Sequence, residues 1–327
     1  MKKGTLLRMS LNKNLNDSKR SISIPAQKQE ILNSIKTKNE IPHKFAYLDM
    51  GADVWDAISK DPNYDLGKRE LSTLKKLMRL VCAKMENERY NVLHIGPGNG
   101  VEIPIIVDGL GVHLIINYAL TDISPELLKM ARSYGNEHSK NLKFLSFIHD
   151  GIKLNISEIA ENIRRKGSNK NLILLIANGA ILSNSPVLTN VRRSMMPEDK
   201  LLITLESYST DREKEILEQY KLPAIINLFA KCLSHIGIHD PVPEQFEFLY
   251  NRKDSMIEVY FLVEKWLKSH STTNIQLNTP CPNKIKVFSS LRPTASELQK
   301  ILTAQGFEIL IFHHYMEEKC CGVLCGV

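Results

Sequence analysis

The segment Val92-Leu93-His94-Ile95-Gly96-Pro97-Gly98-Asn99-Gly100 constrains this chain more than any other. A short apolar run ends in three alternating glycines, residues that accept left-handed backbone and let a ligand approach the main chain closely. The dinucleotide fingerprint G-x-G-x-x-G would place its third glycine at position 101, where Val101 stands, so that motif fails. Four further apolar runs follow at 114–120, 142–148, 172–177 and 201–205. They end in Thr121-Asp122, His149-Asp150, Asn178-Gly179 and Glu206. Helical spacing fills the intervals at 125–132 after Ser124, at 156–165, and at 186–193 after Ser185. Apolar strands alternating with helices predict an α/β fold with a Rossmann-like parallel sheet covered on both faces. In such sheets ligands bind at the C-terminal edge of the strands, where these polar residues fall.

The flanks read differently. Residues 68–87 carry apolar positions at helical spacing. Residues 208–287 are mostly helical in pattern, with a strand at 256–263 that carries the lone acid Glu258. A helix over 294–305 is signalled by Thr294 and Glu297 at capping-box spacing, and 307–313 with 320–327 predict an antiparallel pair. The expected organisation is a basic flexible arm (1–40), a helical segment packing with the inserted domain (41–90), a sheet domain (91–207 and 288–327) and an inserted α+β domain (208–287).

Composition narrows the function. The chain is 43% apolar and 24% charged, which excludes wholesale disorder. No apolar run approaches the roughly 18 residues of a membrane span. The net charge is +7, and the first 40 residues hold nine basic and three acidic residues, so the rest is nearly neutral. That argues against a nucleic-acid partner, which needs a basic face on the folded body. Six cysteines without disulfide-framework spacing, and a start without a signal-peptide core, lead us to expect a cytoplasmic protein. Cys320 and Cys321 are adjacent on a predicted strand and point to opposite faces, so no metal site is expected there.

The G-x-G-x-G spacing resembles the cofactor loop of class I S-adenosylmethionine (SAM)-dependent methyltransferases, with their seven-stranded sheet. Asp122 then stands where an acid can accept from both ribose hydroxyls, and Asp150 where one can accept from the adenine amino group. The cofactor set this implies is Gly96, Pro97, Gly98, Asn99, Gly100, Asp122, Ile123, Asp150, Gly151 and Asn178. Two residues before the first glycine, where these enzymes commonly carry Glu or Asp, stands His94.

A narrower resemblance runs from Lys44 to the C-terminus. Tyr47-Leu48-Asp49, Pro62-Asn63-Tyr64-Asp65, Gly179-Ala180-Ile181-Leu182-Ser183-Asn184, Ile257-Glu258-Val259 and Ser290-Leu291-Arg292-Pro293-Thr294 are similar to motifs of the histidine Nα-methyltransferases of ergothioneine biosynthesis and the fungal dimethylallyltryptophan N-methyltransferases. The resemblance implies a small-molecule substrate, with Asn184 and Glu258 as catalytic residues. It also implies Tyr64, Gly179, Asn184, Tyr220, Glu258 and Tyr260 as substrate-binding residues, with Glu258 selecting a cationic or N–H-bearing side chain. Asp65 replaces the second Tyr of the Pro-Glu-Tyr-Tyr motif, so the substrate need not be histidine. Trp55 and Trp266 are candidates for a pocket wall or a domain seam. The reading is transfer of a methyl group to an amino-acid-type amine. O-, C- or S-methylation on the same scaffold, or a SAM-binding pseudoenzyme, are the alternatives. The sequence leaves the oligomeric state open.

Overall fold

The computed structural model describes residues 24–85, 88–150, 156–164, 170–183, 186–269 and 282–327. Among the described residues ten strands form: β1 (Tyr90–Ile95), β2 (Ile115–Asp122), β3 (Phe144–Ile148), β4 (Asn171–Ile176), β5 (Lys200–Glu206), β6 (Phe246–Asn251), β7 (Met256–Leu262), β8 (Lys284–Leu291), β9 (Glu308–Tyr315) and β10 (Cys320–Gly326). The α-helices are α1 (Ile24–Lys38), α2 (Gly51–Lys60), α3 (Asp65–Lys84), α4 (Ile103–Leu110), α5 (Pro125–His138), α6 (Ile156–Arg164), α7 (Gly179–Leu182), α8 (Pro186–Ser194), α9 (Glu213–Gln219), α10 (Pro223–Ser234), α11 (Val263–Ser269) and α12 (Ala295–Ala304).

Seven strands make one sheet in the order β3-β2-β1-β4-β5-β10-β9. β1 to β5 are parallel, and β10 runs antiparallel to β5 and β9. Every residue of β1 and β4 is buried, as a strand covered on both faces requires. One face packs on Leu74, Leu77 and Met78 of α3 and Ile106 and Val107 of α4. The other packs on α6, α8 and α12 through Ile163, Val191 and Leu302. The strand order reverses between β1 and β4, which opens a crevice at their C-terminal ends.

A second sheet, β6-β7-β8, is wholly antiparallel. Its inner face joins α10 in a separate core containing Phe229, Phe246, Phe261 and Trp266. Three sequence expectations shift here. Part of the expected arm is helix α1, whose Ile31 is fully buried in this second core and whose Glu30 pairs with Lys44 at 2.6 Å. The segment expected to pack with the inserted domain divides: Phe45 and Ile58 join the second core, whereas α3 covers the large sheet. β8 runs through residue 288, where the return to the large sheet was expected, so the small sheet extends to Leu291. Among the described residues, no helix is long and apolar enough to cross a membrane.

Candidate active site

The crevice at the end of β1 is a cavity whose wall comes from both sheets and from the N-terminal helices. Its floor is the glycine turn. Gly96, Gly98 and Gly100 have φ of 62°, 54° and 86°, a region that L side chains rarely adopt. A Cβ on Gly96 would lie 2.5 Å from Ile181 Cδ1, and one on Gly98 would lie 2.8 Å from Trp55 Nε1. The turn is thus both conformationally and sterically reserved for glycine. It is pinned from below: the Gly96 N–H donates to the Thr121 carbonyl at 2.8 Å, and Asn178 Nδ2 donates to the Ile95 carbonyl at 2.8 Å. Ala177, just before Asn178, is held at φ 55°. Such strain persists only where its surroundings enforce it, and here it aims Asn178 at the turn.

Asp122 closes β2 beside this floor. Its carboxylate accepts the Ser124 N–H at 3.0 Å, and the amides of Ile123 and Gly98 also bond to it. Burial nonetheless pushes its pKa up to about 6, because those amides only partly replace lost water. A ligand hydroxyl pair donating to this carboxylate would add what the protein does not supply. Asp150 lines the same cavity, and Lys44 reaches it at 3.2 Å.

Of the sequence-predicted cofactor residues, the structure brings Gly96, Gly98, Asp122, Ile123, Asp150 and Asn178 to the cavity. Pro97, Asn99 and Gly100 support the turn from outside the lining. The Asn99 amide is spent on Asp56 and Ser59 at 2.9 and 2.8 Å, and a Cβ on Gly100 would strike the Ala131 backbone at 2.7 Å. Gly151 and Asn184 lie outside the described residues.

The substrate candidates separate. Tyr64 and Tyr220 line the cavity, and Gly179 is buried between the lining residues Asn178 and Ala180. Glu258 and Tyr260 do not reach it. On β7, Ile257, Val259 and Phe261 fill the core, so the alternate residues Glu258 and Tyr260 point to the opposite face. There Tyr260 donates to Glu258 at 3.0 Å and Lys286 lies 3.7 Å from it. The strand period overturns the placement of Glu258 at the substrate. Trp55 is a wall residue, and Trp266 is core.

Sequence reasoning assigned no role at the site to several residues now found there. Tyr47, Phe229 and Phe288 add aromatic surface, and Tyr47, Trp55 and Tyr64 stack edge-to-face with centroids 5.8 and 6.4 Å apart. Ser290 and Arg292 enter from β8 and the residues after it. Arg292 Nε donates to Glu206 at 3.1 Å, and Nη1 donates to Ser290 and the Leu291 carbonyl at 2.8 and 2.9 Å. Arg69 and Arg212 converge on the same Glu206 at 2.8 and 3.2 Å. Burial works against the Arg292 charge, but Tyr220, Glu206, Glu70 and Tyr64 around it hold its pKa up. Burial also lifts the pKa of Tyr47 and Tyr64, so both remain neutral phenols. His43, another wall residue, is pushed down to about 4 by burial and is uncharged near neutrality.

A seven-stranded sheet of this order, with a glycine turn after β1 and a carboxylate closing β2, defines a class I SAM-dependent methyltransferase. The family model for histidine-specific, SAM-dependent methyltransferases matches residues 27–325, and the chain belongs to that family. No curated protein matches the sequence. Among solved structures, the chain is similar to a SAM-dependent methyltransferase from Clostridium acetobutylicum (12% identity, 78% of this chain and 91% of that one, TM-score 0.44). It is also similar to magnesium protoporphyrin IX methyltransferase from Synechocystis with bound S-adenosylhomocysteine (SAH) (11%, 86% and 95%, TM-score 0.46). The residues present fit the cofactor: a cradle closed to side chains at Gly96 and Gly98, and at Asp122 a buried carboxylate whose pKa is raised despite its amide hydrogen bonds.

Proposed function

We propose that this methyltransferase acts on the amine nitrogen of a small amino-acid-type substrate whose side chain is aromatic or otherwise apolar, with its carboxylate held at Arg292. The observation that carries this reading is the charge and texture of the wall beyond the glycine turn. That wall is built from Tyr47, Trp55, Tyr64, Tyr220, Phe229 and Phe288, with Arg292 as its charged group. The other lining cation, Lys44, already pairs with Glu30 and Asp150. Three guanidinium groups share Glu206, with Glu215 as a second carboxylate on Arg212 and Glu70 kept largely protonated by burial, so the cluster behind the wall keeps an excess of positive charge that favours an added anion. Arginine suits a carboxylate, which it binds with fixed fork geometry.

The bound cofactor supplies an electrophilic methyl group on sulfur. The chain must present a neutral amine to it. The α-amino group of a free amino acid is protonated near neutrality, and a guanidinium nearby disfavours that charged form. With Glu258 on the far face of the small sheet, no carboxylate from β7 holds the proton on. The aromatic wall excludes water and leaves the amine few alternatives to the reacting geometry. Histidine, the substrate in the family's name, falls within this class, as do larger aromatic amino acids.

The test is SAH formation from SAM with a panel of amino acids and their decarboxylated amines. Turnover is expected with aromatic amino acids and is expected to fall at least about tenfold with the matching amines, the loss of one charged hydrogen-bond partner. Equal turnover of acids and amines, or a preference for lysine-like side chains, would overturn the reading.

A further inference from the structure

The end of β1 carries no charge. His94 is fully buried, its Nδ1 lies 3.2 Å from the Tyr118 hydroxyl, and burial drives its pKa down to about 3, so the ring is neutral. Its Nε2 has no hydrogen-bond partner. Just past the glycine turn, Glu102 precedes α4 as its N-cap residue, yet its side chain makes no capping bond. The side chain lines the cavity instead, and its Oε2 is buried without a partner. Thr121 Oγ1, on the strand end facing the same cavity, is also unpartnered.

A carboxylate in this position is compensated only by a backbone hydrogen bond. Among the described residues, the titratable groups that interact with it are Glu70 on α3 and Tyr118 on β2, and neither is a cation. Burial therefore lifts its pKa to about 7. The cofactor's amino-acid end carries one ammonium and one carboxylate. Backbone N–H groups of a glycine turn can serve the carboxylate, but the ammonium needs an acceptor, and an anion gains most from a cation where water is excluded.

We propose that Glu102 is the acceptor for the α-ammonium of the cofactor, supplying from the start of α4 the negative charge that His94 withholds from the end of β1. The assignment stands apart from the choice of substrate, since it concerns only the cofactor.

Calorimetric titration of the full chain tests it with two ligands: SAH, which has the amino-acid end, and 5′-methylthioadenosine, which lacks it. Glu102→Gln is expected to weaken SAH at least tenfold at pH 8 and to leave methylthioadenosine within twofold. In the wild type, the ratio of SAH to methylthioadenosine affinity is expected to rise from pH 6 to pH 8 as Glu102 ionises; in Glu102→Gln it stays flat. Glu102→Asp should recover part of the ratio. Methylthioadenosine binding reports that each variant is folded. Equal weakening of both ligands, no weakening of either, or an unchanged pH slope would overturn the assignment. Failure of the wild type to bind either ligand would instead remove the cofactor site, and this assignment with it. Loss of activity on every amine, with both titrations as expected, would count against the substrate reading alone.

Discussion

The two halves of the cavity are made differently. The half we assign to the cofactor comes from neighbouring strand ends of one parallel sheet: the turn after β1, Asp122 at the end of β2, and Asn178 after β4. Backbone geometry and one carboxylate do most of its work, so each part has a local requirement. The half we propose for the substrate is assembled from distant pieces: Tyr47 just before α2, Trp55 on α2, Tyr220 after α9, Phe229 on α10, and Ser290 and Arg292 at the end of β8. Side chains rather than main chain form its surface. On the proposed reading, the cofactor is met mostly by main chain and the substrate by side chains on a separate layer.

Substitutions in the two halves should therefore separate cofactor affinity from substrate affinity. The largest effect is expected from Asp122→Ala, which removes charge-assisted hydrogen bonds and should weaken SAH on the order of 100-fold. A titration showing unchanged affinity would break the cofactor half of the comparison. Gly98→Ala should weaken SAH by roughly tenfold to a hundredfold, from backbone strain of about 1–3 kcal/mol and the clash with Trp55. Adding Trp55→Ala should relieve only the clash, so a full recovery would show that φ is unimportant. Arg292→Lys should raise the substrate KM about tenfold, because the planar fork is lost, while the SAH Kd stays within twofold. A change in the SAH Kd instead would place Arg292 in the wrong half.

The pH dependence sharpens the point through stability. Burial raises the pKa of Glu70 to about 8 and that of Glu102 to about 7, both above the ordinary 4.5. The folded chain then holds protons that the unfolded chain has shed, so stability falls as pH rises through this range. The ligand-free Tm is expected to drop between pH 6.5 and 8.5, with a shallower slope in Glu70→Gln. Below pH 6.5 the buried neutral His43 and His94 oppose the trend, since the unfolded chain protonates them first. The smallest effect is expected from Glu258→Ala, with KM changed less than about threefold, because its side chain lies outside the cavity lining. A large KM change would return Glu258 to the substrate.

The same contrast explains what could be read from the residues alone. Gly96–Gly100 and Asp122 were legible because a strand end and a turn impose local chemistry that survives without tertiary context. The hairpin of β9 and β10 and the helix capped by Thr294 were legible for the same reason. Glu258 was not, because motif similarity carries no phase: a one-residue shift along a strand moves a side chain to the other face. β6 and β8 were missed since their antiparallel pairing with β7 is set by non-local contacts. α1 was read as a tail because its composition is polar. Its seat depends on Ile31 entering a core formed far along the chain and on Glu30 meeting Lys44. Arg292 lies inside a segment that resembles a family motif, yet no role could be read for it from the sequence. Its role comes from Glu206, at the end of a strand of the other sheet.

A crystal structure of the chain with SAH and an aromatic amino acid would test the central claim most directly. It is predicted to show the ribose on Asp122, the SAH amino group on Glu102, and the amino acid's carboxylate on Arg292 with its ring among Tyr47, Trp55 and Phe288. SAH seated away from the Gly96–Gly100 turn, or the amino acid bound at Glu258 on the outer face of the small sheet, would contradict it.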